Sequence, residues 1–361
     1  MTAGPNQGAA FQGSFGHNEM ASTNTVPGSP GEHRGLNYWM ERLLKELEKV
    51  RSTPDPAARV TALRKALKDR NNYLVSKAAA IAGDLRLEDL IPDLIGAFDR
   101  FFNDPVKTDP QCWAKTAVAK ALKDLGYRQA DVFLRGIGHV QMEPVYGGRD
   151  DSAATLRGTC ALAMVDCQLD DLAILTHLGE RLADGETPVR IDAALAIGQF
   201  GREEGALLLR LKALLGDREP EVIGQCFASL MALAPQTSLA FIRRFLEPGD
   251  EETCMEAASA LALSREPEAI EILRTFWKTR AGVDVRKAIL ISLGASALRE
   301  AVEFLLVVLT TESGELAAQA LKALASSRFH GELRPRVKQV LDAKQDAELS
   351  RIFERDLRAT E

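Results

Sequence analysis

Aromatic residues make up only 6% of the chain, and no uninterrupted apolar run reaches the roughly 18 residues that a bilayer-crossing helix needs. Membrane insertion is therefore not expected. Cysteine is sparse: five in 361 residues, an odd number with no CxxC pair, which fits a reducing compartment better than a disulfide framework. The opening stretch MTAGPNQGAAFQGSFGHNEM has neither a basic n-region nor an apolar h-region, so no secretory signal is expected and the expected location is the cytoplasm. Basic charge is not in excess. There are 45 Lys and Arg against 51 Asp and Glu, and the pI is near 5.6, a balance unlike that of a general nucleic-acid binder.

The motifs of several enzyme classes are missing as well. No GxxxxGK[ST], no GxGxxG after a strand and no GxSxG elbow occurs, and Gly136-Ile137-Gly138 and Gly147-Gly148 are lone glycine pairs in loops. The five histidines, His17, His33, His139, His177 and His330, form no HxxxH or HExxH, so neither a metal site nor a cofactor is expected. Cys160 and Cys226 sit at small interior positions of a repeat, where a thiol acts as a compact apolar group, and no fixed histidine partner points to a catalytic cysteine. No catalytic residue is expected.

What is present is a tail followed by helices. Residues 1–35 hold seven Gly and three Pro but no Leu, Ile or Lys, and such a segment buries too little apolar surface to offset its ordering entropy. It reads as disordered, with a short linear motif around Phe11 and Phe15 as the functional alternative. From Leu36 the texture changes: LNYWMERLLKELEKV places Trp39, Leu43, Leu47 and Val50 at helical spacing, and Pro54 and Pro56 end that helix. Residues 36–56 are read as an N-terminal capping helix.

Beyond it the sequence repeats. Segments sharing one pattern of large and small apolar residues begin at Leu74, Trp113, Leu156, Val189, Val222, Thr253, Val285 and Leu316, at intervals of 39, 43, 33, 33, 31, 32 and 31 residues. A Leu-rich amphipathic stretch precedes each, and turn residues such as Asp184-Gly185 and Gly216-Asp217 separate the two. A period in the low thirties holds two antiparallel helices and their turns, and one such pair cannot cover its own apolar face, so successive pairs must stack. The equivalent positions Ala78, Ala117, Cys160, Ala193, Cys226, Ala257, Ile289 and Ala320 are mostly small, which lets stacked helices approach closely. The fold class read from this is all-α: a right-handed α-α superhelical solenoid of about eight helix-pair repeats over residues 57–328, with C-terminal capping helices over 329–361. In the last of these Leu349, Ile352, Phe353 and Leu357 are expected to face inward.

The segment VRIDAALAIGQFG (Val189–Gly201) resembles the second helix of a HEAT repeat, of the short bacterial kind also found in phycobilisome lyases, and VRKAILISLG and LRGTCALAMV are similar to it. The resemblance implies an armadillo-like fold and says almost nothing of activity, because unrelated functions share it. It further implies a structural ladder between an Asp in the turn and an Arg after the first apolar residue. Arg157, Arg190 and Arg286 keep that Arg, while Val75, Ala114, Ile223, Cys254 and Ala317 replace it. The di-iron deoxyhypusine hydroxylases of this fold bind metal through repeated His-Glu pairs, which are missing here.

The two long intervals are adjacent, and their extra residues fall between first and second helices, at Asn103–Gln111 and Gly136–Asp151. Insertions at that place map to one edge of a solenoid, so the two loops should be neighbours. Lys107 in the first, and His139, Met142, Tyr146 and Arg149 in the second, mix apolar and polar groups in the manner of a contact surface, and are the candidate partner-binding residues. Residues 36–80 carry ten Lys and Arg against five Asp and Glu, a basic end that reads either as a contact for an acidic partner or as solvated helix faces with i, i+4 pairs. The expected function is a non-enzymatic protein-interaction scaffold or adaptor, with a protein as partner. A bilin lyase-like maturation factor and a HEAT-like nucleic-acid binder related to DNA glycosylases are the alternatives.

Overall fold

The computed structural model describes residues 32–247, 250–279 and 282–356, with side chains from residue 41 onward. Phe11, Phe15 and Leu357, and the side chain of Trp39, lie outside the described residues. The chain divides into two compact units, residues 1–46 and residues 47–361. Helix α1 spans Glu32–Lys49. It therefore starts inside the segment read as tail, since the lone Gly35 costs a helix only about 1 kcal/mol.

In the second unit helices alternate in pairs. They are α2 (Pro56–Leu67) with α3 (Asn72–Asp84), then α4 (Ile91–Arg100), the short α5 (Pro105–Thr108) and α6 (Trp113–Asp124). Helix α7 (Ala130–Ile137) follows, then strands β1 (Met142–Val145) and β2 (Gly148–Asp151), then α8 (Ala154–Met164). The regular pairs come next: α9 (Asp171–Arg181) and α10 (Thr187–Phe200), α11 (Gly205–Leu215) and α12 (Pro220–Leu233), α13 (Pro235–Arg243) and α14 (Glu251–Leu263). The array continues with α15 (Pro267–Trp277) and α16 (Val283–Ala295), α17 (Arg299–Thr311) and α18 (Gly314–Ser326), α19 (His330–Lys344) and α20 (Ala347–Asp356).

Each second helix stacks on the next, α3 on α6, α6 on α8, and so through α10, α12, α14, α16 and α18 to α20. This is a helical solenoid, and α19 with α20 continues its alternation. The local causes are those of any helix end. Asp55, Asn71, Asp170 and Asp250 accept hydrogen bonds from the first free amides of α2, α3, α9 and α14. Prolines occupy the first turn of α10, α12, α13 and α15, where a missing N–H costs nothing.

The second helices are buried on most sides. Ala78, Cys160, Ala193, Cys226, Ala257, Ile289 and Ala320 are all 0% exposed, and leucines and phenylalanines such as Leu122, Phe133 and Phe227 fill the space between layers. Each large side chain so buried contributes about 1.5–3 kcal/mol. At the C-terminus Leu349, Ile352 and Phe353 are buried. One helix departs from the expected frame. In α6 the position equivalent to Leu156 and Val189 is Ala114, not Trp113, and Val118 and not the half-buried Ala117 takes the interior place. Trp113 is 48% exposed and lies against Tyr73, with ring centroids 5.3 Å apart. The shift by one moves Lys115 into the place held by Arg157 and Arg190.

The second departure is the segment read as a loop after Gly136, which contains an antiparallel hairpin. Met142 pairs with Asp151 and Val145 with Gly148, and the two-residue turn is Tyr146-Gly147, with Gly147 at φ 86°. That value is unstrained only for glycine.

Candidate functional site

The long-loop edge is built from a buried polar cluster outward. Asp109 and Lys115 are both 0% exposed and paired at 2.9 Å. One Asp109 oxygen accepts from Asn72 Nδ2 (2.9 Å) and the Ala114 amide (2.8 Å), and the other from the Lys115 amide (3.0 Å) and Lys115 Nζ. Asp109 thereby caps α6 while neutralising the cation inside it. Lys115 Nζ spends its remaining protons on Gln141 Oε1 (2.9 Å) and the Phe101 carbonyl (3.3 Å). A buried charge pair is tolerated only when its remaining donors and acceptors are satisfied, and these are.

Gln141 and Glu143 carry the cluster into the hairpin. Gln141 Nε2 donates to the Asp109 carbonyl (2.8 Å) and to Glu143 Oε1 (2.7 Å), which also accepts from the Gln111 amide (2.7 Å) and Ser152 Oγ (2.5 Å). The two inserted segments are therefore bonded to one another. Strand alternation does the rest: Gln141 and Glu143 point inward and are buried, while Met142 points out. Tyr146 at the turn is fully exposed, and Val140, Met142 and Val145 are 57%, 39% and 40% exposed. The hairpin has a polar buried root and an apolar open tip.

The candidate residues fall in different places on this frame. Met142, Tyr146 and Arg149 belong to the open hairpin, where Arg149 Nη2 donates to the Met142 carbonyl (3.0 Å). His139 is half-buried below it, its ring 4.8 Å from that of Phe102 and its Nε2 3.2 Å from Gln141 Oε1. Burial pushes the His139 ring below the ordinary histidine range, against the opposing effect of the Gln141 bond. Lys107 stands exposed on α5, paired with Asp104 at 2.8 Å, and no hydrogen bond or ion pair joins its side chain to the hairpin among the described residues.

The ladder arginines divide in the same way. Arg157 bonds Asp151 of its own repeat (2.5 Å) and both carboxylate oxygens of Asp184 in the next (2.9 and 2.8 Å), and donates to the His139 carbonyl (2.9 Å). Arg190 grips Asp217 with two 2.8 Å bonds, and Lys212 Nζ adds a third at 2.7 Å. Burial alone would raise Asp151, Asp184 and Asp217, but it is outweighed at Asp151 by the Gln141 and Ala153 amides and then Arg157, at Asp184 by Arg157 and the Glu186 amide, and at Asp217 by Arg190 and Lys212, so all three lie below the usual carboxylate range. Among the described residues Arg286 has no such partner. It donates to the Trp277 and Thr279 carbonyls (3.3 and 3.0 Å) and lies over the Trp277 ring. Sequence reasoning missed Asp109, Lys115, Gln141 and Glu143. A spacing present in the chain would have found the first two: Asp109–Lys115, Asp151–Arg157 and Asp184–Arg190 are each six apart.

The five cysteines are free and buried; burial pushes Cys112 up to about 12 and Cys167 and Cys254 up to about 11. Among the described residues no three His, Cys, Asp or Glu side chains converge as metal ligands, and no helix is long and apolar enough to cross a membrane. Gly136 serves close packing, since a Cβ there would run into Cys160 Sγ on α8.

Residues 207–293 match the family model for HEAT repeats. Human deoxyhypusine hydroxylase, solved in complex with glycerol, is 17% identical with a TM-score of 0.28, over 69% of this chain and 88% of that one. The complex of CpcE and CpcF of phycocyanin lyase from Nostoc sp. PCC7120 is 19% identical with a TM-score of 0.34, over 64% of this chain and 88% of that one. No curated protein sequence matches the chain.

Proposed function

From a chain that carries HEAT repeats, we propose a non-enzymatic scaffold that binds another protein through the hairpin at its long-loop edge. One observation supports this most: an exposed apolar tip, Met142, Val145 and Tyr146, stands on a root whose hydrogen bonds are made inside the array. An apolar loop that packs on nothing gains nothing from its exposure, whereas a partner would cover it. A tip held rigid by its root loses little conformational entropy on binding, which raises affinity for the same contact area. Arg149 at the rim supplies a donor for a carboxylate or amide of the partner. The partner is met by shape and by a few anchoring side chains, with Tyr146 the expected centre of the contact.

The test is recovery of a stoichiometric partner from the native cell by wild-type chain and by the Met142→Ala, Tyr146→Ala, Arg149→Ala triple variant. These three side chains lie outside the buried cluster, so helicity and melting should be unchanged while partner recovery falls. Equal recovery by both chains, or recovery of the chain alone, overturns the reading.

A further inference from the structure

A second surface lies further along the array. Between α12 and α14, on the side where second helices meet solvent, runs a groove of about 810 Å³ walled by Ile191, Ala228, Met231, Ala260 and Leu263. Its volume is that of sites that hold a short peptide segment or a small ligand. Small side chains on α12 open it: Ala228 and Ala232 are exposed, and Leu263 on the facing helix is 52% exposed.

Three carboxylates line the same groove, Glu221 in the first turn of α12, Glu256 in the middle of α14 and Glu266 just before α15, against one cation, the exposed Arg265, at its end. Glu266 accepts from Gln236 Nε2 (3.5 Å), whereas Glu256 is half-buried and neither its side chain nor that of Glu221 has a hydrogen bond or ion pair among the described residues. This contrasts with the ladder, where Asp217 is held by Arg190 and Lys212, and with α16, where Lys287 and Glu315 pair at 2.6 Å. Burial, and then the neighbouring Glu221, raise the Glu256 carboxyl above its ordinary range. The carboxylate is thus housed at a cost.

The housing is visible in the backbone. A Cβ at position 224 would collide with the Glu256 carboxylate, so Gly224 makes the space that Glu256 fills. Glycine within a helix costs about 1 kcal/mol relative to alanine, and here no turn requires it. The device occurs twice: Gly158 on α8 makes the same room for Asp192 on α10, next to the groove residue Ile191. A half-buried carboxylate that no ion pair satisfies, in a groove whose three carboxylates outnumber its one arginine, has the complement of a lysine or arginine flanked by apolar side chains. A cation brought to it forms a charge-assisted bond in a partly desolvated place, where such bonds are strong.

We infer that the α12–α14 groove docks a segment of a partner protein that carries a Lys or Arg beside two or three aliphatic side chains, with Glu221 and Glu256 receiving the cation. This inference rests on the protein-interaction reading but not on the hairpin. The experiment selects random twelve-residue peptides displayed on phage against the immobilised full chain and measures the winners by fluorescence anisotropy. Enriched peptides should share a basic residue next to Leu, Ile, Val or Met. They should lose at least tenfold in affinity for the Glu221→Gln, Glu256→Gln double variant, and also for Ala228→Arg, which fills the groove and supplies its own cation. The hairpin triple variant should bind them as the wild type does, so failure there and failure here are separable. Circular dichroism of each variant guards against loss of fold. Enrichment of peptides without a cation, unchanged affinity in the folded groove variants, or no enrichment at all overturns the inference.

Discussion

Replacing Lys115 by methionine keeps most of the stem's volume and removes one ammonium from a place with no exposure. Asp109 would then keep three donors, Asn72 Nδ2 and the amides of Ala114 and Lys115. Removing one partner of a buried pair costs about 3–5 kcal/mol, and the surviving donors place Lys115→Met near the low end, about 3 kcal/mol. Asp109→Ala should cost more, about 5 kcal/mol, because it strands the Lys115 cation and also removes the cap of α6. The double variant should cost at least about 2 kcal/mol less than the sum, which a double-mutant cycle reads directly. Arg336→Ala is the control: its pair with Glu303 is 52% and 49% exposed, and such pairs contribute about 0.2–1 kcal/mol. Urea denaturation followed at 222 nm gives the energies. Because repeat arrays can unfold in parts, hydrogen exchange over residues 139–152 should be read alongside, and protection there should fall in Lys115→Met. A cost below about 1 kcal/mol, additive energies, or unchanged hairpin protection would refute the assignment of Lys115 as the hairpin's anchor.

Acid should act through the ladder. Asp151, Asp184 and Asp217 have folded-state values below their unfolded ones, so their contribution is complete above the unfolded value near about 3.9 and is lost as pH falls through the folded values. Asp217→Asn should flatten the stability–pH curve below about pH 4, and an unaltered acid limb would refute this. Gly136→Ala should destabilise by about 1–3 kcal/mol by driving a methyl into Cys160, whereas Gly138→Ala, with only the Leu134 carbonyl at 3.9 Å, should be nearly neutral in the same urea titration. Deleting residues 345–361 strips Leu349, Ile352 and Phe353 from the array, each a loss of about 1.5–3 kcal/mol, and should lower the melting temperature or the soluble yield.

The repeat period and the small interior residues were legible because both follow from one requirement, that stacked helices share a buried face. The frame of α6 was not. Trp113 is the largest apolar residue of its segment and draws the alignment to itself, yet it is half exposed and leaves the interior to Ala114 and Val118. Lys115 was hidden behind that error. The hairpin carries Pro144 and two glycines, poor strand formers, and its pairing follows from Glu143 and Gln141 reaching the Lys115 cluster, a tertiary cause invisible in local propensity. Arg286 matched the ladder by type, but no Asp lies six residues before it, and it bonds carbonyls instead. Among the candidate contact residues, Met142, Tyr146 and Arg149 share the hairpin because the insertion itself is one element, while Lys107 belongs to a separate short helix.

The ladder also divides the array by how its ion pairs meet dissolved salt. From Asp109 to Asp217 the rungs are buried, and dissolved ions reach them poorly. Between α17 and α19 the inter-repeat bonds, Arg299–Glu332 and Arg336–Glu303, stand at the surface and are screened over a Debye length of about 8 Å at physiological salt. Under tension the C-terminal turns should give way first, at a force that falls as salt is added. The ladder region, whose exposed pair Arg202–Asp171 is screened as well, should weaken less with salt because its buried rungs remain.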